Sequence, residues 1–322
     1  MSEECRRLAC FGGSVSIHVG GSDRARSAEN AAEHARAQLL DIHLRLSRFI
    51  EDSELSRLNL EPRETLPASY LMRRFAAAVV GAGNRSAGLV DATQLGPLER
   101  LGYRRSREGV APVPLSIALE RAPKRRPAKP HPSQAWRTIR IDDTAATVSR
   151  PPGVRLDSGG IAKGLAADLV AAGLRGHPTY AADCGGDIRI GGAAGLARRI
   201  EVADPFGGEP LHELELVEGA VATSGIGRRA WLRADGTAAH HLLDPSTGEP
   251  AYTGIVQATA LAPTAVLAET LAKVAVLSGP ERAPNRLPYG GVIVLEDGSA
   301  EVVSARVELS RASLVAPGSH AG

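Results

Sequence analysis

The amino-acid sequence predicts an α+β fold, because patterns typical of strands and of helices occur in mixed blocks along the chain. The sequence lacks the regular alternation of strand and helix that a doubly wound parallel sheet requires. The chain has 322 residues, of which 43% are hydrophobic, so it can bury a large core as one large domain or two packed halves. Aromatic residues make up only 3%, and the core must therefore consist mostly of Ala, Val and Leu.

The first half of the chain predicts a strand, then two amphipathic helices, then two short strands. Residues 11–19 alternate apolar with small or polar residues, as a strand with one buried face does. The spacing of apolar residues predicts helices over residues 27–49 and 69–84. Residues 104–133 are rich in Pro and Arg and predict an irregular insertion. The short strands are expected at residues 136–141 and 147–150.

The second half predicts two helices separated by a series of strands. An Ala/Leu-rich helix is expected over residues 161–174, and an apolar helix over about 264–277. A hairpin is expected over residues 291–303, turning at Asp297-Gly298, and residues 311–322 are expected to form a mobile tail. The intervening strands are predicted at residues 188–190, 199–203, 212–216 and 230–233.

Composition excludes several functional classes. The net charge of +2 does not suggest a nucleic-acid-binding protein. The basic, proline-rich residues 121–130 are the exception, and we interpret them as a solvated extended loop, with an anionic partner as the alternative. Three cysteines without metal-ligand spacing argue against a disulfide framework or a zinc site. No apolar run is long enough for a signal peptide or a membrane span, so we expect a cytoplasmic protein without membrane insertion.

The most informative segment is residues 156–164, Leu-Asp-Ser-Gly-Gly-Ile-Ala-Lys-Gly. Its glycines let the backbone turn sharply and approach a ligand closely. The helix that follows offers unpaired amide donors and the positive end of its dipole to an anion. Lys163 adds a mobile positive charge suited to phosphate. The segment therefore predicts an anion site, although its pattern alone is only weakly specific.

Two adjacent histidines, His240 and His241, precede an Asp244-Pro245 turn. A histidine held in this way can act as a general base near neutral pH, or it can be an ordinary loop residue with satisfied hydrogen bonds. Adjacent residues of a strand point to opposite faces, so at most one of the two faces a given site. We expect the Asp-Pro turn to determine which one does.

Taken together, these segments resemble the ApbE family of FAD:protein FMN transferases. The resemblance depends on several ungapped blocks in one order, and it covers roughly residues 11–280. The blocks are Phe11-Gly12-Gly13-Ser14, residues 52–59, Leu89-Val90-Asp91-Ala92-Thr93 with Gly96-Pro97-Leu98, residues 156–164, Gly185-Gly186-Asp187, Ala222-Thr223-Ser224-Gly225, and His241 with Asp244-Pro245 and Thr247-Gly248.

The resemblance implies a single domain over residues 1–310, with FAD bound in a cleft between two α+β halves. It implies transfer of FMN from FAD to a Ser or Thr hydroxyl of an acceptor flavoprotein, with release of AMP. His241 matches the residue that activates the acceptor hydroxyl. The positions that match flavin- or FAD-contacting residues are Phe11, Phe49, Leu89, Val90, Asp91, Asp157, Lys163 and Leu243.

The chain departs from the family pattern at two places. Phe49 stands where the family usually has Tyr, so a ring remains for stacking but its hydroxyl is absent. The resemblance also implies Mg²⁺, held by an Asp, by a Thr four residues later and by a main-chain carbonyl at the position of Gly160. Here Glu269 retains a carboxylate, but Lys273 replaces the Thr, and a protonated lysine cannot bind a metal.

We hypothesise that the Lys273 ammonium occupies or abuts the metal position and pairs with Glu269. The alternative is an ordinary surface ion pair between residues four positions apart on a helix. Two further functions stay open at this point: hydrolysis of FAD to FMN and AMP, and flavin binding without transfer. A Rossmann domain and a serine hydrolase are disfavoured, because neither G-x-G-x-x-G between strand and helix nor G-x-S-x-G occurs.

Overall fold

The computed structural model describes residues 2–309 and has an α+β fold, as predicted. The predicted mobile tail, residues 311–322, lies outside the described residues. The helices within residues 2–309 are α1 (Ala28–Leu46), α2 (Glu54–Leu60), α3 (Tyr70–Arg85), α4 (Leu95–Arg100), α5 (Leu115–Glu120), α6 (Ala162–Ala172) and α7 (Ala265–Ser278). The strands are β1 (Glu3–Cys10), β2 (Gly13–Gly20), β3 (Thr65–Pro67), β4 (Arg140–Asp142), β5 (Thr147–Ser149), β6 (Thr179–Asp183), β7 (Asp187–Gly191), β8 (Arg198–Val202), β9 (His212–Leu216), β10 (Gly219–Gly225), β11 (Ala230–Leu232), β12 (Ala238–His240), β13 (Leu243–Asp244), β14 (Glu249–Pro250), β15 (Ile255–Ala262), β16 (Gly291–Leu295) and β17 (Ala300–Val303).

An eight-stranded antiparallel sheet forms the centre of the fold, in the order β1-β2-β6-β7-β10-β15-β16-β17. A row of helices covers one face: α1 packs on β1 and β2, α6 on β6 and β7, and α7 on β10 and β15. The β8–β9 hairpin contributes Val202, Leu214 and Leu216 to a second apolar cluster with Ile190 and Val221 of the sheet. The sheet is therefore covered on both faces near its centre.

The three longest helices begin where a hydroxyl side chain caps them. Ser27, Ser69 and Thr264 each accept a hydrogen bond from a backbone N–H three residues later, at the starts of α1, α3 and α7. Helix α7 is apolar around most of its circumference, and it lies between the sheet and α3. A helix with this pattern must be buried on several sides. This placement decides the environment of Glu269 and Lys273.

Two predicted elements differ at the N-terminal end. Phe11 and Gly12, predicted to begin a strand, form the turn between β1 and β2, with positive φ values of 54° and 71°. Strand β1 was not predicted. It lies at the edge of the sheet and has polar residues on both of its faces, so its sequence lacks the alternation of apolar and polar residues that marks a strand. Phe11 is therefore positioned by turn geometry, and its backbone N–H donates to Nδ1 of His43.

The middle of the chain also differs from the prediction. Trp136, predicted in a strand, lies in a single turn of 3₁₀ helix, Ala135–Thr138, and only Arg140–Asp142 is a strand. Its indole packs against Gly83 of α3, where there is no space for a side chain. Residues 104–133 are irregular except for α5. Within them the basic residues 121–130 are anchored, since the backbone N–H of Ala128 donates to the Leu277 carbonyl at 2.8 Å.

No helix within residues 2–309 is long and apolar enough to cross a membrane. The extent of the domain, residues 1–310, stays a prediction.

Candidate active site

A cleft brings together segments that are far apart in the sequence. It encloses about 670 Å³ of space not filled by protein atoms, part of it open to solvent at the mouth. Its lining comes from the loops at residues 89–94 and 157–161, from α4 and the residues after it, from the segment after β10, from the segment after β12 and from α7. The lining residues are Leu89, Val90, Asp91, Ala92, Gln94, Leu98, Tyr103, Asp157, Gly159, Gly160, Ile161, Arg229, His241, Leu242, Leu243, Pro245, Lys273 and Leu277.

Most residues that the sequence singled out line this cleft. Seven of them do so: Leu89, Val90, Asp91, Asp157, Gly160, His241 and Leu243. Lys273 lines it as well. Phe11, Phe49, Lys163 and Glu269 are not among the lining residues, and the contacts described below show how each is connected to it.

Asp91 shapes the loop that bears Leu89 and Val90. Its Oδ1 accepts hydrogen bonds from the backbone N–H of Thr93 at 2.8 Å and from the Thr93 hydroxyl at 2.6 Å. Gly88 before this loop has a φ of 86°, which a residue with a side chain rarely adopts. The Asp91 carboxylate therefore holds the turn and leaves the apolar side chains at the cleft wall.

Asp157 is fixed by two contacts in the glycine-rich loop. The Arg48 guanidinium lies 2.6 Å from Oδ1, and the backbone N–H of Gly159 donates to Oδ2 at 3.1 Å. The backbone of Asp157 also donates to the Ala92 carbonyl at 2.8 Å. Asn59 holds the preceding Leu156 through both of its backbone groups. The two cleft loops are thus joined into one rigid edge.

A row of aromatic rings extends from Phe49 to the cleft. Phe49, Tyr103 and Trp231 follow one another with centroid separations of 5.6 and 5.4 Å. The Arg48 guanidinium lies 4.1 Å from the Phe49 centroid and 4.7 Å from that of Tyr103. Since 38% of Phe49 remains exposed, a planar ligand can still reach its ring.

Four charged residues, three of them buried and Lys163 partly exposed, lie together next to the glycine-rich loop. Lys163 pairs with Asp187 at 2.6 Å, and Lys273 pairs with Glu269 at 3.0 Å. The second oxygen of Glu269 accepts from the backbone N–H of Gly164 at 2.9 Å. Burial would raise the pKa of Glu269, but the ammonium groups of Lys273 and Lys163 outweigh it and hold that pKa below its usual value. Glu269 is therefore a carboxylate with both oxygens engaged.

Asp187 contributes an unpaired oxygen to this cluster. It is fully buried, and its Oδ1 has no hydrogen-bond partner among the described residues. Burial raises the pKa of Asp187 to about 6, although Lys163 opposes the change. The sequence position of Lys163 suggested a mobile charge in the cleft. The pair with Asp187 means that its ammonium is not free there.

The donor groups do not fit Mg²⁺ at the predicted place. Magnesium requires several oxygen ligands in octahedral geometry, whereas both oxygens of Glu269 already accept hydrogen bonds and Lys273 offers only a cation. Lys273 also fills the space beside Gly160: its Cε lies 3.3 Å from where a Gly160 Cβ would be. Among the described residues, no group of three or more His, Cys, Asp or Glu is arranged to hold a metal.

One of the two adjacent histidines lines the cleft and the other does not, in agreement with the expectation that at most one faces a given site. His240 ends β12, is fully buried, and meets the Tyr252 ring edge-on at 4.7 Å. His241 lines the cleft, and its Nδ1 is buried without a hydrogen-bond partner within the described chain. Asp244 holds the turn that follows, because its Oδ1 accepts from the backbone N–H groups of Lys129 and Ser246 at 3.0 Å each.

His241 is held neutral. Burial is the largest cause of its lowered pKa, and the positive charges of Arg229, Lys273 and Lys163 lower that pKa further, well below the usual value for histidine. A neutral imidazole has a lone pair for a proton, but the lowered pKa makes it a weak base until an anion beside it offsets the nearby positive charges. The position of His241 therefore combines a proton acceptor with an anion site.

Sequence analysis missed three contributors to the site. Arg229 lines the cleft and donates to the Phe11 carbonyl at 3.0 Å, which connects the Phe11 turn to the site. Two arginines directly after the glycine turn at residues 225–227 were the available signal. Asp187 was quoted in a motif but given no role, and no local pattern marked Tyr103 as a cleft residue.

The sequence profile of the ApbE family matches residues 11–292. The chain belongs to the ApbE family. Its curated relatives include the FAD:protein FMN transferase of Vibrio cholerae serotype O1, which is 28% identical in an alignment of 284 positions that covers 83% of this chain and 80% of the relative. The FAD:protein FMN transferase of Haemophilus influenzae is 29% identical over 82% of this chain and 76% of the relative.

Solved structures of the family have the same fold. The crystal structure of the ApbE protein from Thermotoga maritima superposes with a TM-score of 0.76 and 28% identity, covering 94% of this chain and 97% of that one. The flavin transferase ApbE from Vibrio cholerae has a TM-score of 0.69 and 23% identity, over 95% and 99% of the two chains. The latter similarity establishes the fold alone.

Proposed function

We propose that this chain is an FAD:protein FMN transferase that binds FAD in the cleft described above. Its curated relatives carry this name. The observation that carries the proposal is the placement of a neutral imidazole, His241, beside Arg229 and Lys273 in a cleft with apolar walls. This arrangement suits a bound diphosphate next to a group that accepts a proton.

The cleft can hold the parts of FAD by different physical means. The apolar side chains of Leu89, Val90 and Leu243 suit a flat ring system, with the exposed Phe49 ring at the end of the aromatic row. Asp157 is fixed by Arg48, so it can orient polar ring atoms with little loss of entropy.

The diphosphate would lie against the glycine-rich loop. The positive end of the α6 dipole and the cleft cation Arg229 can neutralise its charge. Lys163 acts from below through its field, because its ammonium is paired with Asp187. Phe11 contributes through its carbonyl, which positions Arg229.

The reaction balances without a further reactant. The oxygen of a Ser or Thr hydroxyl on the acceptor attacks the phosphorus of the FMN half, and the bond from that phosphorus to the bridging oxygen breaks. The hydroxyl proton passes to His241, and the bridging oxygen leaves on AMP. Positioning and neutralisation of the developing charge supply most of the catalysis in such transfers.

Incubation with FAD and an acceptor flavoprotein tests this function. In-gel fluorescence of the acceptor after denaturation indicates covalent FMN. Release of AMP without a labelled protein indicates hydrolysis instead, and FAD binding without either product indicates a flavin-binding protein. We expect His241→Ala to abolish labelling while its Kd for FAD changes little, and His34→Ala, at an exposed site, to label like the wild type. Equal labelling by the His241 variant would remove His241 from the mechanism.

A cytoplasmic location, and the absence of a nucleic-acid partner, stay predictions from the sequence.

A further inference from the structure

We propose that the Lys273 ammonium is a built-in cation of the FAD site and that FAD binding by this chain needs no divalent metal. This inference rests on the proposed function, because it concerns the same cleft. It concerns the one place where the charged residues of the site do not suit the metal that the family resemblance implies.

The Glu269–Lys273 pair is internal to the protein. Glu269 is 0% exposed and the Lys273 side chain 8% exposed. An ordinary surface ion pair is therefore excluded. The four-residue spacing along α7 places both side chains on the helix face that meets the glycine-rich loop, where the Glu269 carboxylate binds the Gly164 N–H.

The Lys273 side chain borders the ligand space. Lys273 lines the cleft together with Gly160 and His241. Its Cε lies against Gly160, where a Cβ would come within 3.3 Å and crowd the lysine. The glycine thus lets the lysine pass close to the loop, and the ammonium retains hydrogen donors beyond the one used by Glu269.

The charges of the cluster already balance. Lys163 and Lys273 offset Asp187 and Glu269, so no excess of carboxylate remains to attract a second cation. A divalent ion placed here would lie beside two ammonium groups and would have to displace the hydrogen bonds of Glu269. An FAD diphosphate, by contrast, is an anion, and the cations Lys273 and Arg229 both line the cleft that would hold it.

Isothermal calorimetry with FAD, in EDTA and in excess MgCl₂, tests the inference on the wild-type protein. We expect the two Kd values to agree within about threefold, which is well under one tenfold step of affinity. We also expect MgCl₂ alone to leave the melting temperature unchanged. Binding that requires Mg²⁺ would overturn the inference and leave the proposed function intact. Absence of FAD binding in both buffers would overturn the proposed function, and this inference with it.

Two variants provide matched comparisons. Glu269→Asp/Lys273→Thr replaces the ammonium with an oxygen ligand, and we expect FAD binding at least about tenfold weaker in EDTA than in MgCl₂. Its melting temperature should rise with MgCl₂, which reports metal binding even if no transfer occurs. Lys273→Arg retains the charge and should bind FAD equally in both buffers. A double variant without any response to MgCl₂, or a Lys273→Arg variant that requires it, would contradict the inference.

Discussion

Removal of the Lys273 charge should destabilise the protein in a pH-dependent way. Lys273→Met keeps most of the side-chain volume but leaves Glu269, which is 0% exposed, without its ammonium partner. A buried carboxylate that loses its partner costs roughly 3–5 kcal/mol while it stays charged. Glu269 can instead take up a proton, and the free-energy cost of this protonation sets an upper limit on the loss of stability.

The limit follows from the usual pKa of Glu, 4.5. Protonation of such a group costs about 3.4 kcal/mol at about pH 7 and about 1.4 kcal/mol at about pH 5.5. In the variant we expect burial, opposed only by the more distant Lys163, to raise the folded-state pKa of Glu269 above its unfolded value, so stability is lost as the pH rises. We therefore expect Lys273→Met to lose about 3 kcal/mol at about pH 7 and about half of that at about pH 5.5.

Urea unfolding followed by circular dichroism at both pH values measures this loss. Glu269→Gln/Lys273→Met should be more stable than Lys273→Met at about pH 7, because Gln can still accept from the Gly164 N–H without a buried charge. Asp41→Asn breaks an exposed pair with Arg45 at the same helical spacing, and should cost less than about 0.5 kcal/mol at either pH. A loss below about 1 kcal/mol for Lys273→Met, or one that does not change with pH, would refute the reasoning.

Two further predictions concern the surroundings of the site. Burial lowers the pKa of His240 from 6.5 to about 3, so stability should fall as the pH drops through this range, by up to about 5 kcal/mol. The free energy of unfolding, measured as the pH is lowered, should fall less in His240→Phe than in the wild type and by the same amount in His34→Gln. Equal curves for the wild type and both variants would contradict this prediction. Gly164→Ala would place a Cβ 2.7 Å from the Ala265 carbonyl oxygen and should cost roughly 1–3 kcal/mol. In the control Gly13→Ala the added Cβ meets open space, and the free energy of unfolding should change by less than about 0.5 kcal/mol. Equal urea midpoints for the two variants would argue against close packing of Gly164 on Ala265.

Local sequence determined the elements that carry the site. Short-range effects, namely helix periodicity and backbone freedom, determine the conformation of these elements. They are the apolar run of α7, the glycines at residues 159–160 and the Asp-Pro turn after His241. The Glu269–Lys273 contact was predicted for the same reason, because residues four positions apart on a helix are neighbours, and the structure confirms it.

Only the tertiary structure decided what those residues meet. The strand order β2-β6-β7-β10-β15 joins segments that are not consecutive, and it brings Asp187 under Lys163 and Arg229 to the Phe11 turn. No short-range pattern encodes such pairings, because they depend on which strands become neighbours in the sheet. Burial of α7 between the sheet and α3 likewise turned a spacing typical of surface pairs into an internal ion pair, because solvent no longer screens its charges.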